Sequence, residues 1–136
     1  MPGALLLAPD EEAGRWVERR RGVGPRPCGV REAAPPGDRD VQVGLHGAPV
    51  RGRAVVILDD VASTGRTLAA AARAALAAGA ARVDVAVTHA LFVGDALEHV
   101  RAAGVGEVWS SDCVPHASNA VSVVPLLAQG LEPVMG

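Results

Sequence analysis

Runs of apolar residues alternate with helical patterns along most of the chain. Residues 5–8 and 54–58 are continuous apolar runs, which are typical of strands buried on both faces of a sheet. Further strands are predicted at 41–45, 83–87, 107–110 and 121–124, and helices at 11–21, 66–78, 95–103 and the C-terminus. This alternation predicts an α/β fold, with a parallel β-sheet flanked by helices on both faces.

One segment, residues 22–37, interrupts the alternation. It is rich in Gly, Pro and Arg, and this composition predicts a flexible loop. The remaining sequence shows no internal repeat and no change of composition that would mark a domain boundary. We therefore predict a single domain over residues 1–136, with a flexible loop at about 22–37.

Polar side chains follow several of the predicted strands. They are Asp10, the segment 59–67, Thr88 with His89, and Ser111 with Asp112. In sheets of this kind, ligands bind beyond the carboxyl ends of the strands. We therefore expect these groups to lie together at one edge of the sheet.

The most informative stretch is residues 55–67, which read VVILDDVASTGRT. An apolar strand leads to Asp59 and Asp60, and a predicted loop over 59–65 leads directly into a helix. Backbone N–H groups at the start of a helix favour a phosphate, whereas the carboxylates suit neutral sugar hydroxyls. Gly65 permits close approach of the backbone to a ligand. The segment predicts a sugar-phosphate site, and the alternative is that these residues simply cap the helix.

The composition excludes several classes of protein. All 13 basic residues are Arg, so no P-loop, Schiff-base or protein-kinase lysine exists. The 13 basic and 15 acidic residues nearly balance, and only three residues are aromatic, which argues against nucleic acid and membrane as partners. Two distant cysteines and no signal-peptide pattern lead us to expect a cytoplasmic protein.

The segment 55–67 resembles the phosphoribosyl diphosphate (PRPP) binding motif of type I phosphoribosyltransferases and of the related ribose-phosphate diphosphokinases, the PRPP synthetases. Three further stretches favour the synthetases, specifically their C-terminal half. These are LAPDEEAGRW at 7–16, GDRDV at 37–41 and AVTHALF at 86–92. The resemblance covers nearly the whole chain.

The resemblance implies a type I phosphoribosyltransferase-like domain in nucleotide biosynthesis. The family transfers the diphosphoryl group of ATP to the C1 hydroxyl of ribose 5-phosphate, with Mg²⁺. It implies that Asp59 and Asp60 hold the ribose hydroxyls and that Asp10 lies near the metal. The phosphate would be held within the segment formed by Ala62, Ser63, Thr64, Gly65, Arg66 and Thr67.

Departures from the family pattern bear on catalysis. Ala33 and Pro35 stand where the family's flexible loop carries a catalytic Lys and Arg, so no catalytic residue is assigned. The synthetase's N-terminal half has no counterpart here, and we expect ATP to bind only if such a half is supplied. The alternatives are a non-catalytic regulatory subunit of a synthetase and a phosphoribosyltransferase that consumes PRPP. Expected protein partners are a second copy or a full-length synthetase.

Overall fold

A seven-stranded sheet organises the residues that the computed structural model describes, which are 4–9, 28–32, 43–45 and 50–135. Its strands are β1 (Leu5–Ala8), β2 (Cys28–Glu32), β3 (Val43–Leu45), β4 (Ala54–Ala62), β5 (Arg82–Ala90), β6 (Val105–Ser111) and β7 (Asn119–Val121). The strand order is β3-β2-β1-β4-β5-β6-β7. Each neighbouring pair is parallel except β2 and β3, which are antiparallel. The predicted parallel α/β sheet is confirmed.

Two helices, α1 (Arg66–Ala77) and α2 (Ala96–Ala102), pack against the sheet. They contact each other as well as the strands, so they lie on the same face. The face of α1 that meets the sheet is largely alanine, which allows the helix to approach closely; its buried residues are Leu68, Ala69, Ala71, Ala72 and Ala75. A third helix, α3 (Val124–Met135), follows β7. Among the described helices, none is both long and apolar enough to cross a membrane.

The central strands are longer than the sequence pattern predicts. Asp59, Asp60, Val61 and Ala62 belong to β4, so the prediction that the loop begins at Asp59 is wrong. The extension has a non-local cause, since Asp59 and Val61 pair with Val87 and His89 of β5. Hydrogen bonding across the sheet holds these residues extended although Asp59 and Asp60 are polar and Val61 is exposed.

The prediction of a loop over about 22–37 is wrong at residues 28–32, which form β2. This strand is held by a parallel neighbour, β1, and by an antiparallel neighbour, β3. Such pairing comes from distant parts of the chain and leaves no periodic signal in a short segment flanked by prolines. Several predicted features lie outside the described residues. They are the rest of that loop, the helix predicted at 11–21, and the residues Asp10, Ala33 and Pro35.

A buried carboxylate, Asp84, joins β5 to β6 near the amino-terminal ends of these strands. Its side chain is fully buried, and Oδ1 accepts hydrogen bonds from the Glu107 N–H at 2.8 Å and the Arg82 Nε at 2.9 Å. The β5–β6 register shifts beside it, between Val83 and Val85. Asp84 therefore fixes the pairing of the two strands where the regular ladder is interrupted.

We expect Asp84→Ala to lower the free energy of unfolding by about 2–3 kcal/mol, because the Glu107 N–H loses its acceptor and Arg82 loses its buried partner. Asp84→Asn keeps an acceptor for that N–H, so we expect it to cost less, about 1 kcal/mol. Urea unfolding of the two variants measures the difference. Equal losses would show that the N–H contact is unimportant.

Candidate functional site

A cavity of about 730 Å³ opens at the carboxyl ends of β4, β5, β6 and β7. It is lined by Leu58, Asp59, Asp60, Ala86, Val87, Thr88, His89, Trp109, Ser110, Ser111, Val121 and Val123. Five of the polar groups expected at this edge therefore lie together: Asp59, Asp60, Thr88, His89 and Ser111. Asp112 is exposed and is not part of the cavity wall, and Asp10 lies outside the described residues.

The two carboxylates of the motif have different environments. Asp59 is half-buried, and its Oδ1 accepts a hydrogen bond from the backbone N–H of Asp60 at 2.9 Å. Asp60 is exposed at the cavity. Asp59 is thus held in orientation by the backbone, while the Asp60 carboxylate faces solvent and is open to a hydroxyl donor.

The loop between β4 and α1 begins a helix that no side chain caps. Gly65 is the N-terminal cap residue of α1, with a φ of 72° in the left-handed region, and the helix start receives no side-chain hydrogen bond. The alternative that the motif merely caps this helix is therefore wrong. The first-turn N–H groups, which lack partners within a helix, are left for a ligand or water.

The other residues of the segment differ in exposure. Ser63, Thr64 and Arg66 are exposed, Thr67 is half-buried and Ala62 is buried. None of these five residues lines the cavity. The loop therefore lies beside the cavity, just after the carboxylates at its wall.

The loop is held in place by the segment that follows β5. The N–H groups of Leu91 and Phe92 both donate to the Ala62 carbonyl, at 3.0 and 2.9 Å, and the Val93 N–H donates to the Ser63 carbonyl at 3.0 Å. These bonds fix the direction in which the backbone enters α1.

Gly65 packs directly on α2. A Cβ at this position would lie 2.7 Å from Val100 Cγ2 and 3.0 Å from the Ala96 carbonyl oxygen. Only glycine fits there, so both the φ angle and the packing require it.

Seven residues that line the cavity were not predicted from the sequence: Leu58, Ala86, Val87, Trp109, Ser110, Val121 and Val123. Trp109 and Ser110 end a strand that was predicted, so their position at the carboxyl end of that strand was the available signal. Val123 is placed by Asp112, whose Oδ1 accepts the Val123 N–H at 2.9 Å. A hydrogen bond from the Ser122 side chain, together with that N–H, lowers the pKa of the Asp112 carboxyl.

The metal expected from the resemblance can be tested against the donors present. The described residues contain no group of three or more His, Cys, Asp or Glu side chains placed to hold a metal ion. Mg²⁺ commonly uses one or two carboxylates, with waters and substrate phosphate oxygens completing its shell. Asp59 and Asp60 fit that smaller requirement at the wall of the cavity.

Comparisons with known proteins cover most of the chain. Residues 31–104 match the family model described as "Phosphoribosyl transferase domain". The chain is 35% identical over 133 residues to ribose-phosphate pyrophosphokinase 1 of Archaeoglobus fulgidus, covering 93% of this chain and 44% of that protein. It is 32% identical over 136 residues to ribose-phosphate pyrophosphokinase of Methanopyrus kandleri, covering 97% and 45%.

A solved structure shows the same fold. The phosphoribosylpyrophosphate synthetase from Mycobacterium smegmatis superposes with a TM-score of 0.72 and 24% identity, over 98% of this chain and 45% of that one. The chain thus spans a little under half the length of these relatives.

Proposed function

Because this chain belongs to the phosphoribosyl transferase domain family, we propose that it binds a 5-phosphorylated ribose, as ribose 5-phosphate or PRPP, at the carboxyl edge of its sheet. The observation that carries the proposal is the order of groups along the backbone. Asp59 and Asp60 line the cavity, and the uncapped start of α1 follows directly. A sugar with a terminal phosphate matches this order, because its hydroxyls can bond to the carboxylates and its phosphate can bind at the helix start.

The sugar and the phosphate are recognised by different chemistry. The exposed Asp60 carboxylate accepts hydrogen bonds from ribose hydroxyls. The Asp59 carboxylate, whose orientation is fixed by the Asp60 N–H, is a second acceptor beside it. The phosphate is bound by first-turn N–H groups of α1, where the positive end of the helix dipole favours an anion. The hydroxyls of Ser63, Thr64 and Thr67 add donors to the same group.

The full family reaction is a further part of the proposal. We propose that diphosphoryl transfer from ATP to ribose 5-phosphate takes place in the cytoplasm and only when an N-terminal half supplies the ATP site. Bound through Asp59, Asp60 and diphosphate oxygens, Mg²⁺ would neutralise negative charge on the transferred group. The described residues supply the sugar-phosphate site, and no catalytic residue is assigned among them.

Isothermal titration tests the binding proposal. We expect ribose 5-phosphate to bind saturably at millimolar concentration or below, both with Mg²⁺ and in EDTA, because the protein contacts the sugar and the phosphate directly. Ribose and inorganic phosphate, which each offer only one of the two groups, should bind more weakly. Absence of heat with ribose 5-phosphate, from a protein shown to be folded by circular dichroism, would contradict the proposal.

A second candidate function is favoured by the exposed helix α3. Leu126, Leu127 and Val134 of α3 are 66%, 60% and 76% exposed, an apolar surface suited to association with another protein. This favours a non-catalytic subunit that associates with a full-length synthetase. An assay for AMP release from ATP and ribose 5-phosphate separates the candidates, because turnover by this chain alone would exclude a purely regulatory role.

A further inference from the structure

Phe92 has a backbone conformation that is unusual for its residue type. Its φ is 35°, in the left-handed region, although its side chain is bulky and buried, with only 8% exposed. Such a conformation is energetically costly for a residue with a Cβ, and it persists only where the surrounding contacts impose it. Strain of this kind concentrates at functional sites, so its contacts are informative.

The backbone of Phe92 belongs to the contacts that hold the proposed phosphate loop. Its N–H donates to the Ala62 carbonyl at 2.9 Å, beside the bond from Leu91 to the same oxygen. Ala62 immediately precedes the loop that leads into α1. A change in the Phe92 backbone would therefore move the residue from which the loop starts.

The ring of Phe92 is held by His116, which comes from the loop between β6 and β7. The two ring centroids are 5.2 Å apart, with planes inclined by 37°. This contact is within the range of favourable aromatic pairs. It links the strained Phe92 to a distant part of the chain.

His116 is itself held by a series of hydrogen bonds. Its Nδ1 accepts the Ser118 N–H at 3.1 Å and lies 2.7 Å from the Ser118 Oγ. The Ser118 and Ser110 hydroxyl oxygens are hydrogen-bonded at 2.8 Å, and the Ser110 Oγ accepts from Asn119 Nδ2 at 2.8 Å. The imidazole is thus oriented by Ser118, whose hydroxyl also bonds to Ser110 at the cavity wall.

We propose that His116 is a positioning residue for the sugar-phosphate site, acting through the ring of Phe92 on Ala62 and the loop that follows it. This inference rests on the proposed function for the identity of the ligand. The contacts from His116 through Phe92 to Ala62 come from the structure and do not depend on that function.

Two substitutions separate the ring contact from the hydrogen bonds. His116→Phe keeps a ring against Phe92 and loses the Nδ1 acceptor, whereas His116→Asn keeps an acceptor and loses the ring. We expect His116→Asn to weaken ribose 5-phosphate binding by about three- to tenfold, which is the range that loss of an aromatic pair gives. The affinity of His116→Phe should stay within about twofold of wild type, because the ring contact is kept. His99→Asn, at an exposed position on α2, is the matched control and should change nothing.

Amide hydrogen exchange of the ligand-free protein supplies a second measurement. We expect the Leu91 and Phe92 amides to exchange faster in His116→Asn than in wild type, and to remain protected in His116→Phe and His99→Asn. Unchanged exchange in His116→Asn, or equal effects of the two His116 substitutions, would overturn the proposal. If wild type fails to bind ribose 5-phosphate, the proposed function fails, while the exchange rates still decide the role of His116.

Discussion

Replacing Asp60 with asparagine is expected to weaken ribose 5-phosphate binding by about 3- to 10-fold while leaving the binding of inorganic phosphate unchanged or slightly tighter. A hydrogen bond to a charged group contributes about 1.5–3 kcal/mol, roughly twice the value for a neutral acceptor. Asparagine keeps an oxygen acceptor, so about half of that contribution is lost. The carboxylate also repels the nearby phosphate, so its removal favours the anion alone. Asp60 is exposed, so we expect the fold to be retained.

Titration of both ligands in EDTA measures this difference without a contribution from Mg²⁺. Glu107→Gln is the matched control, because Glu107 is an exposed acid at the start of β6, away from the carboxyl edge. It should leave both affinities unchanged. If Asp60→Asn weakened phosphate and ribose 5-phosphate equally, the carboxylate would not be selecting the sugar hydroxyls.

The sequence alone predicts much of this architecture because local patterns carry it. The apolar runs predict β1 and β4, and the alanine-rich segment closed by Gly79 predicts α1. The resemblance to ribose-phosphate diphosphokinases and the type I phosphoribosyltransferase-like fold are confirmed. The convergence of Asp59 and Thr88 follows from their place at strand ends in a parallel sheet.

The features that the sequence does not predict depend on contacts between distant residues. The strand β2 forms because two other strands flank it, and the extension of β4 through Ala62 follows from its pairing with β5. Likewise, no residue near Phe92 in the sequence indicates a ring contact with His116, because β6 lies between the two residues along the chain. Local periodicity therefore locates the candidate site, and non-local pairing determines how its loop is held.

Gly65→Ala is expected to be the most destabilising substitution in the phosphate segment, lowering the free energy of unfolding by about 2–5 kcal/mol. A φ of 72° costs a residue with a Cβ about 1–2 kcal/mol. The new methyl group would also lie 2.7 Å from Val100 Cγ2 and 3.0 Å from the Ala96 carbonyl oxygen. Relief of that overlap requires α2 to shift, which adds about 1–3 kcal/mol.

Gly52→Ala separates these two costs, because Gly52 has nearly the same φ, 73°, but no atom within 4 Å of the position that the new methyl group would take. Its expected loss is the conformational cost alone, about 1–2 kcal/mol. Urea unfolding of both variants measures the difference, which we attribute to packing of the loop on α2. Equal losses in the two variants would show that α2 yields freely at Gly65, and the phosphate loop would then not be held in place by this contact.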